Sequence, residues 1–320
     1  MRNTFLAAFV FIVCAALVPF LGQGYLWFLL CSAAVYFIVA LSLNILIGIA
    51  GQISIGHAAF WALGAYSSAV VVTKLGLPFL AGIPVAGIVA GLVGLLVALP
   101  ALRIQGHYLA IATLAFALFV QQVLHEWESL TGGRAGIFVP RPQILGFEIS
   151  DDRQYFYLLL AICVGLAWIT WNLARSRTGR ALMALRMSPT AAQCCGVDRR
   201  TSIVIAFGLS AALTGVSGGL YAHLVGYLSV SSFSLGTSLS FLTMVVIGGT
   251  SRIAGAVLGA LFLTLAPEIL RGLGDGQMVI YGVILILVVM FLPSGLVGVP
   301  AQLGRLLRRS KKLPSSEVSS

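Results

Sequence analysis

The residues able to do chemistry in this chain fall into two groups. The first is Gln52, Ser54 and His57, which bring an amide, a hydroxyl and an imidazole together in NILIGIAGQISIGHAAFW, with Tyr108 and Thr113 adding a phenol and a hydroxyl in HYLAIATLAF. Uncharged donors and acceptors of this kind suit a dipolar solute that is held loosely by hydrogen bonds. The second is the run 175–200, RSRTGRALMALRMSPTAAQCCGVDRR, with six arginines and one aspartate. Guanidinia in such density suit an acidic partner surface. Neither group implies covalent chemistry. The patterns GxxxxGK[ST] and HExxH are absent, and the only lysines are Lys74, Lys311 and Lys312, so ATP is not hydrolysed here through a phosphate loop and no cofactor or metal is expected. The five cysteines show no metal or disulfide spacing: Cys14, Cys31 and Cys163 sit in apolar runs, and Cys194 adjoins Cys195.

These residues must be positioned by membrane helices. The chain of 320 residues is 59% hydrophobic and 9% charged, with mean hydropathy +1.04, and apolar runs of about 18 to 25 residues recur along it. Runs such as Ala81 to Leu102 leave no polar face, and the alternation of a membrane barrel is missing, so the fold class is an all-α polytopic membrane protein. Residues 1–21 imitate a secretory signal, yet Pro19-Phe20-Leu21-Gly22-Gln23 lacks the small-x-small cleavage pattern and the stretch is taken as a first span. Ten spans are expected, at about 5–21, 25–48, 57–73, 79–99, 107–125, 154–174, 202–223, 236–249, 254–270 and 278–298.

Ten crossings put both termini on one side. Fourteen basic residues then share the side of the 175–200 loop and only Lys74, Arg134, Arg141, Arg153 and Arg271 lie opposite, which makes the loop and both termini cytoplasmic. The net charge of +10 reflects this bias and not a nucleic-acid surface. Residues 1–304 form the membrane domain, with an external loop at 126–153, and 305–320 form a basic, disordered tail suited to the lipid surface.

Within this frame the polar groups acquire roles. Gly48, Gly51 and Gly56 break an apolar stretch too poor in polar residues for a solvated loop; either a broken or re-entrant helix or a glycine-rich turn satisfies the pattern. The first alternative places Gln52, Ser54 and His57 on a solute path. In the loop, Thr178 is expected to cap one short helix ending near Met187, while Ser188 and Pro189 open a second that Gly196 ends. Gly179 would permit a close turn, Ala184 a close helix approach, Leu182 and Leu185 an apolar anchor, and Arg180 and Arg186 contacts to acidic groups of a partner. Gly87-x3-Gly91 and Gly255-x3-Gly259 each precede an arginine, Arg103 or Arg271, by twelve residues from the second glycine. An inverted repeat would look like this, although small-residue spacing also recurs by chance in apolar sequence. Thr131-Gly132-Gly133 fits an anion-accepting nest or an ordinary tight turn. Ionisable groups are missing from the span interiors, so a transport role needs energy delivered from outside the chain.

In order, NILIGIAGQISIGHAAFWALGAY, ALRIQGHYLAIATLAF, LTGGRAGI, SRTGRALMALRMSPTAAQCCGVD, FGLSAALTGVSGGLYA and TMVVIGGTSRIAGAVLGA resemble the permeases of branched-chain amino acid ATP-binding-cassette importers, of the LivM type, over about residues 40–298. The resemblance implies a permease subunit carrying branched-chain or other hydrophobic amino acids across a bacterial-type inner membrane. Its partners would be a LivH-type permease paralogue, two cytoplasmic ATPases and an external substrate-binding protein. Met187 and Ser188 depart from the acidic or amide residue common there in the family, and Ser251-Arg252-Ile253-Ala254 replaces a Gly-Ser-x-x-Gly pattern. Permeases for urea and short amides share these motifs. A passive channel or ion-coupled carrier is the alternative of a different class, and it would move solute without ATPases.

Overall fold

A computed structural model describes residues 24–298 except 105, 145–146, 150, 251, 273–276 and 292–294. The span expected at 5–21 and the tail 305–320 lie outside the described residues. The chain is all-α apart from short strand pairs. Its helices are α1 (Gly24–Leu43, continued by a π-helical end, Asn44–Ile49), α2 (His57–Thr73), α3 (Phe79–Ala101), α4 (His107–Glu126), the single turn α5 (Glu128–Thr131), α6 (Asp152–Arg175), α7 (Arg177–Met187), α8 (Pro189–Cys194), α9 (Arg199–Val225), α10 (Leu235–Gly248), α11 (Ile253–Leu270) and α12 (Gln277–Phe291). Among the described residues six of these, α1 with its π-helical end, α3, α4, α6, α9 and α11, are long and apolar enough to cross a membrane.

The long helices form because their apolar runs satisfy every backbone group internally, and they pack through small residues that let backbones approach. α9 is the hub. Ser42 and Val35 of α1 meet Thr214 and Ser217 of α9, so these two helices are antiparallel. His57 and Ser68 of α2 meet Ser210 and His223, so α2 runs parallel to α9. Gly87 of α3 lies against Val216 and Gly94 against Ala211 and Phe207, which makes α3 antiparallel to it. At Gly218 a Cβ would collide with the Trp61 carbonyl, so only glycine permits the α2–α9 contact there.

At 17 residues α2 is about 25 Å long, less than the roughly 30 Å of a bilayer's hydrocarbon core. His57 at its first turn reaches Ser210, eleven residues past Arg199 and therefore about 16 Å along α9. The chain between α1 and α2 thus leaves helical structure over residues 50–56, and α2 starts beside the middle of α9 rather than at its end. The glycines compared in the sequence meet different neighbours: Gly87 and Gly91 face α9, whereas Gly255 and Gly259 face the adjoining α10.

At the end of the bundle near Glu126, β1 (Ile137–Phe138) pairs antiparallel with β4 (Tyr227–Leu228), and β2 (Gln143–Ile144) with β3 (Phe147–Glu148). Gly132 and Gly133 take φ of 70° and 53°, and the Gly133 N–H donates to the Thr131 hydroxyl at 3.1 Å. That amide is engaged inside a tight turn, which is the plainer of the two readings of this tripeptide.

Candidate functional site

The break begins with α1 itself. Its last turn widens to a π-helix, a form concentrated at functional sites, and Gly51 then leaves the helix at φ +69°. The freed backbone is satisfied locally: Ala50 N donates to Ile45 O at 3.0 Å and Gln52 N to Leu46 O at 2.9 Å. The Asn44 side-chain amide donates to the Arg252 carbonyl at 3.0 Å, fastening the widened turn to the start of α11.

Past the break a buried hydroxyl–imidazole network takes over. His57 Nε2 lies 2.9 Å from Ser210 Oγ and Nδ1 3.1 Å from Ser54 Oγ. Ser210 Oγ donates to the Ser42 carbonyl at 2.8 Å, so its lone pair accepts from Nε2–H and the Ser54 hydroxyl donates to Nδ1. This tautomer of neutral His57 uses every hydrogen available. Thr113 Oγ1 accepts from Ile55 N at 3.0 Å, and Ser238 Oγ from Ala58 N at 3.3 Å. Ser54, His57 and Thr113 are each 1% exposed. They hold the shape of the break and present nothing to solvent.

The five expected pathway residues therefore separate. Ser54, His57 and Thr113 form one cluster, Gln52 lines a cavity beside the loop helices, and Tyr108, 76% exposed, stands on the outer surface of the first turn of α4. Ser42, Ser210, Thr214 and Asn44 were missed. A signal existed for three of the hydroxyls of α9, because Ser210, Thr214 and Ser217 recur at i, i+4 and i+7 and so share one face.

In the loop, Ser176 and not Thr178 caps α7, its Oγ accepting from Gly179 N at 3.1 Å. The N-cap must precede the helix, and the chain turns two residues earlier than the threonine suggested. A Cβ at Gly179 would collide with the Leu173 and Ala174 carbonyls, so its glycine closes the α6–α7 corner. Ser188 caps α8 with Pro189 at its first position, and Gly196 follows its end at φ +81°, as expected. Asp198 caps α9; the Thr201 hydroxyl and then the Arg200 amide beside it hold its carboxyl below the usual carboxylate range.

The apolar anchor of α7 points inward. Leu182 is buried in one cluster with Ile45, Leu46 and Ile49 of the π-turn, and Leu185 is buried beside it, so neither is presented to a partner. Arg186 is exposed but reaches back to the break: its Nη1 donates to the Gly48 carbonyl, and a Cβ on Gly51 would collide with its aliphatic stem. What α7 offers outward is Arg177, Arg180, Arg186, Met183 and Met187, with Ala184 half-buried among them. The arginine-rich loop is thereby tied to the broken end of α1.

Residues 25–291 match the protein family described as branched-chain amino acid transport system / permease component. The chain belongs to this family. Among permeases of that family, it is 33% identical over 286 residues to the high-affinity branched-chain amino acid transport system permease protein LivM of Escherichia coli K12, covering 82% of this chain and 67% of that one. It is 25% identical over 284 residues to LivH of Salmonella typhimurium, covering 83% and 92%, and 24% identical over 284 residues to BraD of Pseudomonas aeruginosa, with the same shares. No solved structure matches. For a multi-pass transport permease, a helix break tied by Arg186 to a pair of short loop helices is the feature that needs a functional account.

Proposed function

We propose that this chain is one permease subunit of an ATP-driven importer, forming the path for branched-chain or other hydrophobic amino acids. The energy comes from two cytoplasmic ATPases that dock on α7–α8, the solute from an external binding protein, and the second half of the path from a LivH-type paralogue. The chain crosses the inner membrane ten times, with residues 5–21 as the first span and both termini cytoplasmic. Its halves form an inverted repeat. Supporting the repeat, α3 packs on α9 and α2 much as α11 packs on α1 and α10.

The observation that carries this reading is the tie from Arg186 and Leu182 to the π-turn. A docked ATPase that moves α7 pulls on Gly48, and so on the break at Gly51–Gln52, as well as on α6 and α9, which continue the chain on either side. Gln52 borders the route, while Ser54, His57 and Thr113 keep its wall in shape; Tyr108 faces lipid or the paralogue. The docking surface is Arg180, Met183, Ala184 and Met187. Methionines suit a partner groove, and the arginine suits its acidic rim.

Ala184→Asp and Arg180→Glu test the docking surface, since each places a negative charge where a contact must be desolvated. Both are expected to lower co-purification of the ATPases and solute-stimulated hydrolysis by about tenfold or more, with the membrane domain still folded. Full retention and normal stimulation in both variants would remove the loop from the coupling role. Leucine uptake into vesicles should require the ATPases and ATP; uptake by the chain alone would make it a channel or carrier.

A further inference from the structure

Among the described residues, the buried side-chain nitrogen and oxygen atoms that lack a hydrogen-bond partner are Trp61 Nε1 and the Tyr66 hydroxyl, in residues 1% and 3% exposed. Burying a donor unmet is costly, and native interiors seldom keep one without a use. Both residues lie on α2 and both rings close on the same neighbour: the Phe233 centroid is 5.2 Å from that of Trp61 and 5.8 Å from that of Tyr66. Tyr36 of α1, Tyr221 of α9 and Phe241 of α10 complete an aromatic chamber, with centroids 6.2, 4.2 and 5.1 Å from the Trp61 ring. Phe233 is held differently from the other rings. It ends the 3₁₀ turn Val230–Phe233, within the serine-rich link SVSSFS that joins α9 to α10 just past β4. Ser231 and Ser232 are exposed while Val230 and Phe233 are buried, so a surface turn sends its ring into the bundle. A four-residue 3₁₀ turn has poorer hydrogen-bond geometry than the α-helices carrying the other five rings, and it is the wall that yields first.

We infer that Phe233 is the plug of a solute chamber, and that an aliphatic α-amino acid arriving from the end of the bundle near β4 displaces this ring and takes its place. The inference rests on the transport reading for the identity of the solute. An indole N–H donates and cannot accept, so the partner missing at Trp61 is an acceptor. A carboxylate meets that need, taking charge-assisted bonds from Trp61 Nε1 and from the Tyr66 hydroxyl, which flank the volume of the one ring. The alkyl side chain then replaces the Phe233 ring against Phe241, apolar for apolar. The ammonium group meets the ring faces and hydroxyl oxygens of half-buried Tyr36 and Tyr221. With the plug in, both donors are unmet; with the solute in, both are satisfied, so the solute itself favours the open position of the turn. A cluster that served packing alone would be better filled by phenylalanine at position 66, which buries the same ring without an unmet hydroxyl.

The probe is a leucine analogue carrying a diazirine in its side chain, photolysed with the full chain and its accompanying subunits in lipid nanodiscs, the adducts being mapped by peptide mass spectrometry. Adducts that excess leucine suppresses are expected on Tyr36, Tyr221, Phe233 and Phe241. Tyr66→Phe keeps the ring and deletes the donor: it is expected to lower these adducts about tenfold while thermal unfolding stays in place or moves up, because an unmet hydroxyl is gone. Phe233→Ala removes the plug and is expected to raise them. The unaltered chain decides first, since absence of leucine-protected adducts in the chamber overturns the site without any variant having to fold. Adducts undiminished in a folded Tyr66→Phe chain, or not raised in a folded Phe233→Ala chain, would overturn it as well. ATP-driven leucine uptake is measured in parallel: normal uptake without chamber adducts sinks the site alone, and chamber adducts without uptake sink the permease reading alone.

Discussion

Gly51 and Arg186 fit one another: the glycine's missing side chain is the space the arginine stem occupies, and its positive φ is what lets α1 end there. Gly51→Ala is expected to cost about 1–2 kcal/mol in backbone strain and also to push Arg186 off the Gly48 carbonyl. Gly196→Ala is the control, because its φ of +81° imposes the same strain while nothing lies near its Cβ. Thermal unfolding should shift at least as far in Gly51→Ala as in the control, but ATP-driven uptake should fall only in Gly51→Ala; equal uptake would show that the tie transmits nothing. His57 belongs to the same scale. His57→Leu leaves Ser54 and Ser210 short of partners, at about 1–3 kcal/mol, and adding Ser210→Ala should cost less than it does alone, since the two share one network. A strictly additive double variant in denaturant unfolding would show that the network does not act as a unit. Both groups were visible in sequence as polar residues in apolar surroundings. Their partners were not, because the bonds to Ser210 and Gly48 span more than a hundred residues and only packing brings them together.

Helix positions were the most legible feature, and the reason is physical: in lipid an apolar run has little choice but to be a helix, so α2 and α9 fall where the runs do. The kind of break after α1 was not legible. The backbone amides of the π-turn find local acceptors, but the turn is fastened to the bundle by the Asn44 side chain's bond to the distant Arg252 carbonyl, and no local pattern encodes that. Caps lie between these extremes: Ser188 was readable, but Ser176 was displaced by the nearby Thr178, a residue of equal capping chemistry. The cap of α9 gives a test at this scale. Because the folded carboxyl of Asp198 titrates below the ordinary value of about 3.9, its stabilisation is complete above that value and is lost as pH falls through the lower, folded one. Protection of the Arg200 and Thr201 amides, measured against their intrinsic exchange rates, should therefore fall at acid pH in the native chain, and at every pH in Asp198→Ala. Exchange that is insensitive to both changes would mean that the cap does not hold the first turn.

For the whole molecule the decisive quantity is which ends of the helices face which side. α6 runs from Asp152 to Arg175 without interruption, 24 residues or about 36 Å, more than the thickness of a hydrocarbon core. Its N-cap Asp151 and the α7 helix that follows it are therefore at opposite ends of the bundle, whatever the orientation. The bias of basic residues is the ground on which we propose that the arginine-rich end faces the cytoplasm and its ATPases. With Cys194 and Cys195, both exposed in the loop, first replaced, single cysteines at Asp151 and Met187 should react with an impermeant thiol reagent from opposite faces, Asp151 from outside and Met187 only after the inner face is opened. Met187 serves better than Arg186 because it is 88% exposed and makes no part of the tie. Reaction of both from the same face would contradict the crossing by α6 and with it the ten-span arrangement. Reaction from opposite faces in the reversed sense would keep the helices and remove the ATPases from α7, since a loop outside the cell has no nucleotide-driven partner to receive.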